Sequence, residues 1–394
     1  MAITIESTPN IITTASNPCV FVFSSDNTTQ DAFSFEVELT VNGSVHSNHL
    51  IFVESGNRGK FNASEIIKSI VKSRLVTDMT LSVNYAESIC SYSIRIIEVY
   101  GNPSTQQGSW VSSGTFRAFN GSLRHPEWIG FDYTQYDMVS TANSLFLTSF
   151  PRTERYYCAM DETMFISTVM SLSASSELNV YLYDLSGSVI ASSLSNPLVD
   201  GYVMVLNVSP QSLIDNTSLL AGDFTNCYYY TVEVQHGSAD TEDFKIYIDR
   251  ECSMYDSHRL HWLNKFGVWD SYTFNKYSEE STSVKSNPYQ IDRGTWSGSN
   301  DWEYNRYNGE QSTYSKTTTD KLKLNSDWIK QDKHNWLVRS LYESPIVYLE
   351  VSYGVFELVN PDITSYTMKQ RIKEGLISEV VTLNRTYTYT SQLN

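Results

Sequence analysis

Residues 247–274 read YIDRECSMYDSHRLHWLNKFGVWDSYTF. Tyr247 and Ile248 belong to an apolar strand, a cysteine and a basic patch follow, and large aromatics gather from Trp262 onward. In LHWLNKFGVWDSYTF (260–274) an apolar run meets an Asn-Lys-Phe-Gly turn signal, then Trp269, Tyr272 and Phe274. The order predicts a strand, a tight turn that needs Gly267, and a second strand. Trp262, Gly267, Trp269 and Phe274 are its expected structural or interaction residues.

The rest of the chain repeats the β theme. Charged residues make up 18% of the 394 residues and aromatics 13%, with 27 tyrosines. The charged share lies below the roughly 25% of ordinary globular domains, and the aromatic surface is ample to bury. Tyr, Thr and Val suit pleated strands, while Ser and Asn suit polar turns. The expected class is mainly β and multidomain, with β-sandwich-like domains and a few short helices.

Three segments are expected. Residues 1–104 carry the alternating strands SFEVELTV (34–41) and YSIRIIEVY (92–100) and form a sandwich with one helix. Asn62 is placed to cap that helix, with Glu65 at the capping-box position and Phe61 and Ile66 as a staple. GNPSTQQGS (101–109) reads as a linker. Residues 105–250 hold LNVYLYDLSGSVIASS (178–193), a hairpin about a Ser-Gly turn, then strands at 201–209, 227–235 and 243–250. Residues 251–394 hold the aromatic kernel and then RGTWSGSNDWEYNRYNGEQSTYSK (293–316), expected as long loops or a β-arm bearing Trp296 and Trp302. A helix over 327–342 follows, capped by Ser326, presenting Trp336, Leu337 and Leu341, and stopped by Pro345. Strands 346–354 and 386–390 (TYTYT) finish the chain, and the latter could pair with an edge.

Net charge is −16 and uneven. Residues 151–257 carry 4 Lys/Arg against 15 Asp/Glu, net −11, whereas residues 258–394 carry 16 of each. An acidic middle argues against nucleic acid as a primary partner, because phosphate binding needs a basic footprint. It reads as a solubility-giving surface, or as one that meets a complementary neighbour. The first residues show no basic and apolar leader pattern, and no apolar run approaches a spanning helix. Cys19, Cys90, Cys158, Cys227 and Cys252 are odd in number and form no CxxC, so reduced, mostly buried thiols and a reducing cytoplasm are expected.

No catalytic, cofactor or metal residue is assigned. His46 and His49 (HSNH), like His258 and His261 (HRLH), have ligand-like spacing but lack the acidic or cysteine partners of a zinc site. On a strand the two members of each pair would face opposite ways. Asp301 and Glu303 in NDWEYNRY, flanked by Trp296 and Trp302, are the one glycosidase-like pair. They come from a single element and do not face each other across a cleft, so an exposed loop with interface aromatics is the expected reading.

The run 247–274, followed by DWIKQDKHNWLVRSLYESPIVYLE (327–350), resembles tail and virion structural proteins of phages that infect Bacteroidetes, the crAss-like group among them. The shared pattern is Cys252, Leu260, Trp262, Leu263, Asn264, Gly267, Asp270 and Phe274, then Trp328, Trp336, Leu337, Leu341, Ser344 and Pro345. Val268 stands where the commoner form has a second glycine. The resemblance covers about 245–350. It implies a non-enzymatic tail hub or ring subunit, assembled in the host cytoplasm and carried in the virion. The implied partners are other copies of itself and neighbouring tail proteins. A receptor-binding or fibre-associated protein that contacts a host surface glycan is the second implied role.

Overall fold

The computed structural model describes residues 3–391 except 55, 78, 140–141, 171–175, 196–197, 199–200, 238, 252–253, 305, 307–308 and 370–374. Strands dominate, arranged in several sheets, and the described helices are short, so the chain is mainly β.

The N-terminal part is a sandwich. Thr4–Ser7, Val20–Ser24 and Arg58–Asn62 form one sheet, and Ile12–Thr14, Phe116–Phe119, Ile89–Tyr100, Ser34–Val41 and Ser44–Ile51 form its partner in that order. Alternation in Val20–Ser24 turns Phe21 and Phe23 inward, where they meet Phe35, Val37, Leu39, Ile94 and Ile96. The helix Ser64–Ile70 adds Ile67 to this core. It begins one turn position later than the cap signal suggests. Asn62 Oδ1 accepts from the Ser64 amide at 3.2 Å, but also from the Cys19 amide at 3.0 Å, so it ties the helix entry to a strand. Ala63, with no side-chain cap, occupies the cap position.

Residues 101–109 are not a linker. Gly101–Ser104 is a hairpin turn, and Thr105–Ser112 pairs antiparallel with Ile89–Tyr100. The polar run lacks apolar alternation because it is a mostly exposed strand at the side of the sheet.

A second large sheet runs Tyr156–Cys158, Phe244–Ile248, Tyr229–His236, Glu177–Tyr183, Val189–Ser195. The hairpin expected at 178–193 is there, in register from Leu178↔Ser195 to Tyr183↔Val189. A small sheet of Phe165–Val169, Val203–Asn207 and Ser82–Asn84 stitches early residues to the middle of the chain.

The C-terminal sheet has seven strands in the order Trp269–Phe274, His258–Leu263, Val347–Ser352, Val355–Pro361, Val380–Thr390, Gln311–Asn325, Ser278–Gln290. Its inner face shares one core with the second large sheet. That core runs from Leu81 to Leu383 and includes Leu178, Tyr230, Trp262, Phe274, Trp336 and Leu337. The helix Gln331–Tyr342 lies against it through His334, Trp336, Leu337, Val338 and Leu341. It starts later than 327 because Ile329–Lys330 pairs with Leu376–Ile377. Ser326 does not cap it. Its hydroxyl accepts instead from the Glu379 amide at 2.8 Å. Among the described residues no helix is long and apolar enough to cross a membrane.

Candidate functional site: a projecting arm on an aromatic kernel

The kernel forms the hairpin its sequence predicts, His258–Leu263 against Trp269–Phe274. Its turn is built by Asn264, whose backbone oxygen accepts from the Gly267 amide and whose side-chain oxygen accepts from the Phe266 amide at 2.8 Å. Gly267 takes φ +69°, a left-handed conformation that glycine adopts without steric cost.

The candidate residues of this region are interior ones. Trp262 is fully buried, donates from Nε1 to Ser340 Oγ at 2.7 Å, and packs 5.4 Å from the Trp336 ring. Trp336 donates from Nε1 towards Ser149 Oγ at 3.1 Å and Asp270 Oδ2 at 3.3 Å. Trp269 donates to the Arg74 carbonyl and the Tyr85 hydroxyl, at 3.1 and 3.2 Å. Phe274 is sealed in the shared core. Trp262, Trp269, Phe274 and Trp336 therefore join the hairpin to the helix and to the rest of the molecule. None of the four is free to meet a partner.

Around them lies a buried polar layer with no local signal in the sequence. Arg259 pairs with Glu162 at 2.9 Å and donates to Ser271 and Thr273. Asp270 accepts from the hydroxyls of Thr148 and Ser149 at 2.7 Å each and from Asn264 at 3.0 Å. His261 Nε2 lies 2.9 Å from Glu350, which also accepts from the Thr163 amide and hydroxyl. Burial pushes the His261 pKa down, and Glu350 offsets this only in part. His261 Nδ1 has no hydrogen-bond partner, so a proton there would be an unpaired buried donor. Burial alone would raise the Glu350 carboxyl. The hydrogen bond and charge of His261, the charge of Arg259 and the Thr163 hydrogen bond outweigh it and leave Glu350 below its usual value.

The HRLH spacing thus resolves into two separate environments. His261 is interior, while His258 is half-buried with Nε2 3.3 Å from Ser278 Oγ. His46 and His49 lie on Ser44–Ile51, where His49 Nε2 is 2.8 Å from Ser47 Oγ. No group of three or more His, Cys, Asp or Glu able to hold a metal occurs among the described residues. Cys19, Cys90, Cys158 and Cys227 are buried and unbridged, and Cys252 lies outside the described residues.

The region 293–316 belongs to a β-arm. Ser278–Gln290 and Gln311–Asn325 pair through thirteen registered positions, from Ser278↔Leu324 to Gln290↔Gln311. At about 3.4 Å per residue the ladder is about 40 Å long. Its base is seated in the core, where Leu322, Leu324, Val381 and Leu383 are buried, whereas Ser278–Gln290 contains no buried residue. The TYTYT segment does pair with an edge, that of its own chain's arm, as Thr388↔Thr319 to Thr390↔Thr317.

At the tip, Thr295–Trp296 pairs with Trp302–Glu303 in a miniature hairpin. Trp296 and Trp302 meet edge to face at 5.3 Å, and Tyr304 is 6.5 Å beyond. They are 69%, 40% and 75% exposed. Gly294 is required where it stands, since a Cβ there would lie 2.5 Å from Trp302 Nε1. Asp301 and Glu303 share this one exposed hairpin, so no second carboxylate faces either across a cleft. Glycosidase geometry needs acids about 5 Å or more apart on opposite sides of the bond.

No protein-family model and no curated protein matches the chain. Among solved structures, the plexin A4 full extracellular region, domains 1 to 10, aligns at 10% identity with a TM-score of 0.18. The alignment covers 63% of this chain but only 21% of that one, so this chain spans about a fifth of the plexin's length. At that score the likeness bears on neither fold nor function.

Proposed function

We propose that the chain is a structural component of a phage virion, a tail hub or ring subunit that joins neighbouring tail proteins through its arm. The observation that carries this reading is the arm. Ordering backbone costs about 1–2 kcal/mol per residue, and Ser278–Gln290 buries no side chain in return. A chain working alone gains little from a solvated ladder about 40 Å long with tryptophans at its end. A neighbour that covers the tip gains large rigid aromatic contacts at low entropic cost. Closed rings need such heterologous contacts, in which one surface meets a different one on the next copy.

Two further features support the reading. The resemblance of 245–350 to virion proteins of Bacteroidetes phages falls on the kernel, whose last strand leads directly into the arm. The acidic segment 151–257 beside a neutral one offers charge complementarity between copies or with neighbours.

The test compares full-length protein with a variant whose residues 291–310 are replaced by Asn-Gly, by mass photometry with and without purified tail proteins. The expected result is closed assemblies for the full chain and their loss without the tip. A full chain that stays monomeric with every tail protein and is missing from purified particles overturns the reading. A second role, receptor binding at a distal tip, is favoured by the exposure of Trp296 and Tyr304. Retention of a surface glycan by full-length but not tip-less protein would select it.

A further inference from the structure

On the side of the molecule where the helix Gln331–Tyr342 meets the second large sheet, a cavity of about 520 Å³ opens. Its walls include Tyr157, Tyr228, Tyr272 and Trp328, and Lys333 reaches into it from the first helical turn. The Lys333 Nζ sits over three aromatic rings, 5.2 Å from the Tyr272 centroid, 5.4 Å from Tyr157 and 5.9 Å from Phe150. It makes no hydrogen bond or ion pair with any described residue. The neighbouring Lys330, by contrast, is paired with Glu154 at 3.1 Å. An ammonium carries three N–H donors, and ring faces do not replace the acceptors that water would supply.

We propose that Lys333 is a carbonyl-reactive amine, the site at which a small neutral aldehyde entering this cavity condenses to an imine. The chemistry balances without an oxidant or reductant. The Nζ lone pair attacks the carbonyl carbon, and the C=O π pair moves to oxygen and takes up a proton. The nitrogen gives up one N–H proton to solvent to form the carbinolamine. The carbinolamine hydroxyl takes up a second proton and leaves as water while the nitrogen lone pair forms the C=N bond, and the resulting iminium returns its remaining N–H proton to solvent. An imine nitrogen has fewer N–H donors left to satisfy, so a position that offers ring faces rather than protein acceptors suits the adduct.

The surroundings favour this outcome. Burial lowers the Lys333 pKa to about 8, and the carboxylates of Glu154, Asp249 and Asp327 pull it back only in part, with Lys330 acting against them. The iminium formed on the way is held by those carboxylates and by the three ring faces. Asp249, Glu251 and Asp327 line the opening, so an uncharged aldehyde is preferred over an anionic one. Thr273 and Asn275 add polar groups for its hydroxyls. The open-chain form of a short sugar has the required size and chemistry. None of this depends on the virion reading.

The experiment treats the full-length protein with glyceraldehyde and cyanoborohydride, which fixes imines as secondary amines, and maps the sites by peptide mass spectrometry. At pH 7 about a tenth of an amine with pKa near 8 is neutral, against a few parts in ten thousand for an exposed lysine. Part of that advantage is lost to lower basicity, so labelling at least about tenfold faster than at Lys330 is expected. The Lys333 rate should level off above pH 8 while exposed lysines keep rising towards pH 10. Lys333→Met should remove the fast site, and Tyr157→Ala should shift its pH profile upward by rehydrating the amine. Labelling of Lys333 no faster than Lys330 overturns the proposal. So does a rate that still climbs above pH 10, a measurement that needs no variant.

Discussion

Gly267 rests against the backbone carbonyl of Asn120: a Cβ at Gly267 would stand 1.3 Å from that oxygen. A turn of the C-terminal sheet is thereby pressed onto a segment that leaves the N-terminal sandwich. The contact is secured by Ser73, which donates its hydroxyl to the Gly267 carbonyl and accepts from the Asn120 amide side chain at 2.8 Å.

Gly267→Ala should therefore destabilise the protein by about 3 kcal/mol or more, since a left-handed non-glycine residue alone costs about 1–3 kcal/mol. Gly298→Ala, with open space around its Cα, should stay within about 0.5 kcal/mol. Urea unfolding of both variants checks the pair. Equal midpoints would show that the backbone yields at the turn.

Trp269→Ala should cost about 3–5 kcal/mol, as expected for a buried aromatic deleted from a core. Trp269→Phe keeps most of the apolar volume but leaves the Arg74 carbonyl and Tyr85 hydroxyl without their donor, and should cost about 1–3 kcal/mol. Chemical denaturation ranks the two. A Trp269→Ala protein as stable as the parent would make the kernel surface decoration.

Stability should decline in two steps as pH falls. His261 has a folded pKa below its unfolded value, so the unfolded chain binds the extra proton and stability is lost as pH drops below about 6.5. Glu350 is depressed as well, so its contribution is present above about 4.3 and is lost on further acidification. Unfolding curves between pH 2 and 8 should show both, and His261→Gln should shrink the upper step, to which the half-buried His258 also contributes. An unchanged upper step in that variant would assign it to another group.

Asp301→Asn combined with Glu303→Gln should leave folding unchanged, because both side chains lie on one exposed hairpin, and should leave assembly unchanged or alter it only through contacts at the tip. Gel filtration and thermal melting check this. Turnover of a capsular polysaccharide by the parent, abolished in the double variant, would make the tip a catalytic element.

Removing 386–394 should weaken assembly while shifting the melting temperature by only a few degrees. It takes away exposed rungs such as Thr388↔Thr319 and leaves Val381 and Leu383 buried. Mass photometry and calorimetry on the same sample separate the two effects. Collapse of the whole fold would show that these rungs hold the core.

Alternation and turn chemistry made several elements legible in the sequence. SFEVELTV matches Ser34–Val41, and the Asn264–Gly267 turn lies where its residues require it. The helix starts differ from the cap signals because Ser326 accepts from a distant backbone amide, and Asn62 divides its side-chain oxygen between the Ser64 amide and the distant Cys19 amide. The strand Thr105–Ser112 was hidden because a solvated strand needs no apolar period. The buried polar layer was invisible for another reason. Arg259 and Glu162, His261 and Glu350, and Asp270 and Thr148 are each about 90 to 120 residues apart, so no window of sequence contains a pair. For the tip, aromatics among polar residues marked Trp296 and Trp302 as exposed, but not the miniature hairpin that sets them edge to face.

The strand order has a consequence for biosynthesis. In the strand ladder, Ser278–Gln290 and Gln311–Asn325 join the remainder of their sheet through Val380–Thr390, which is translated some 55 residues after the hairpin is complete. Until that strand emerges, the ribbon hangs from the nascent protein with the edge of Gln311–Asn325 open as well as that of Ser278–Gln290. Open edges invite pairing with foreign strands. The Thr- and Ser-rich faces of the ribbon, with Lys285 and Pro288 on its outer strand, are the kind of sequence that discourages such capture during the wait.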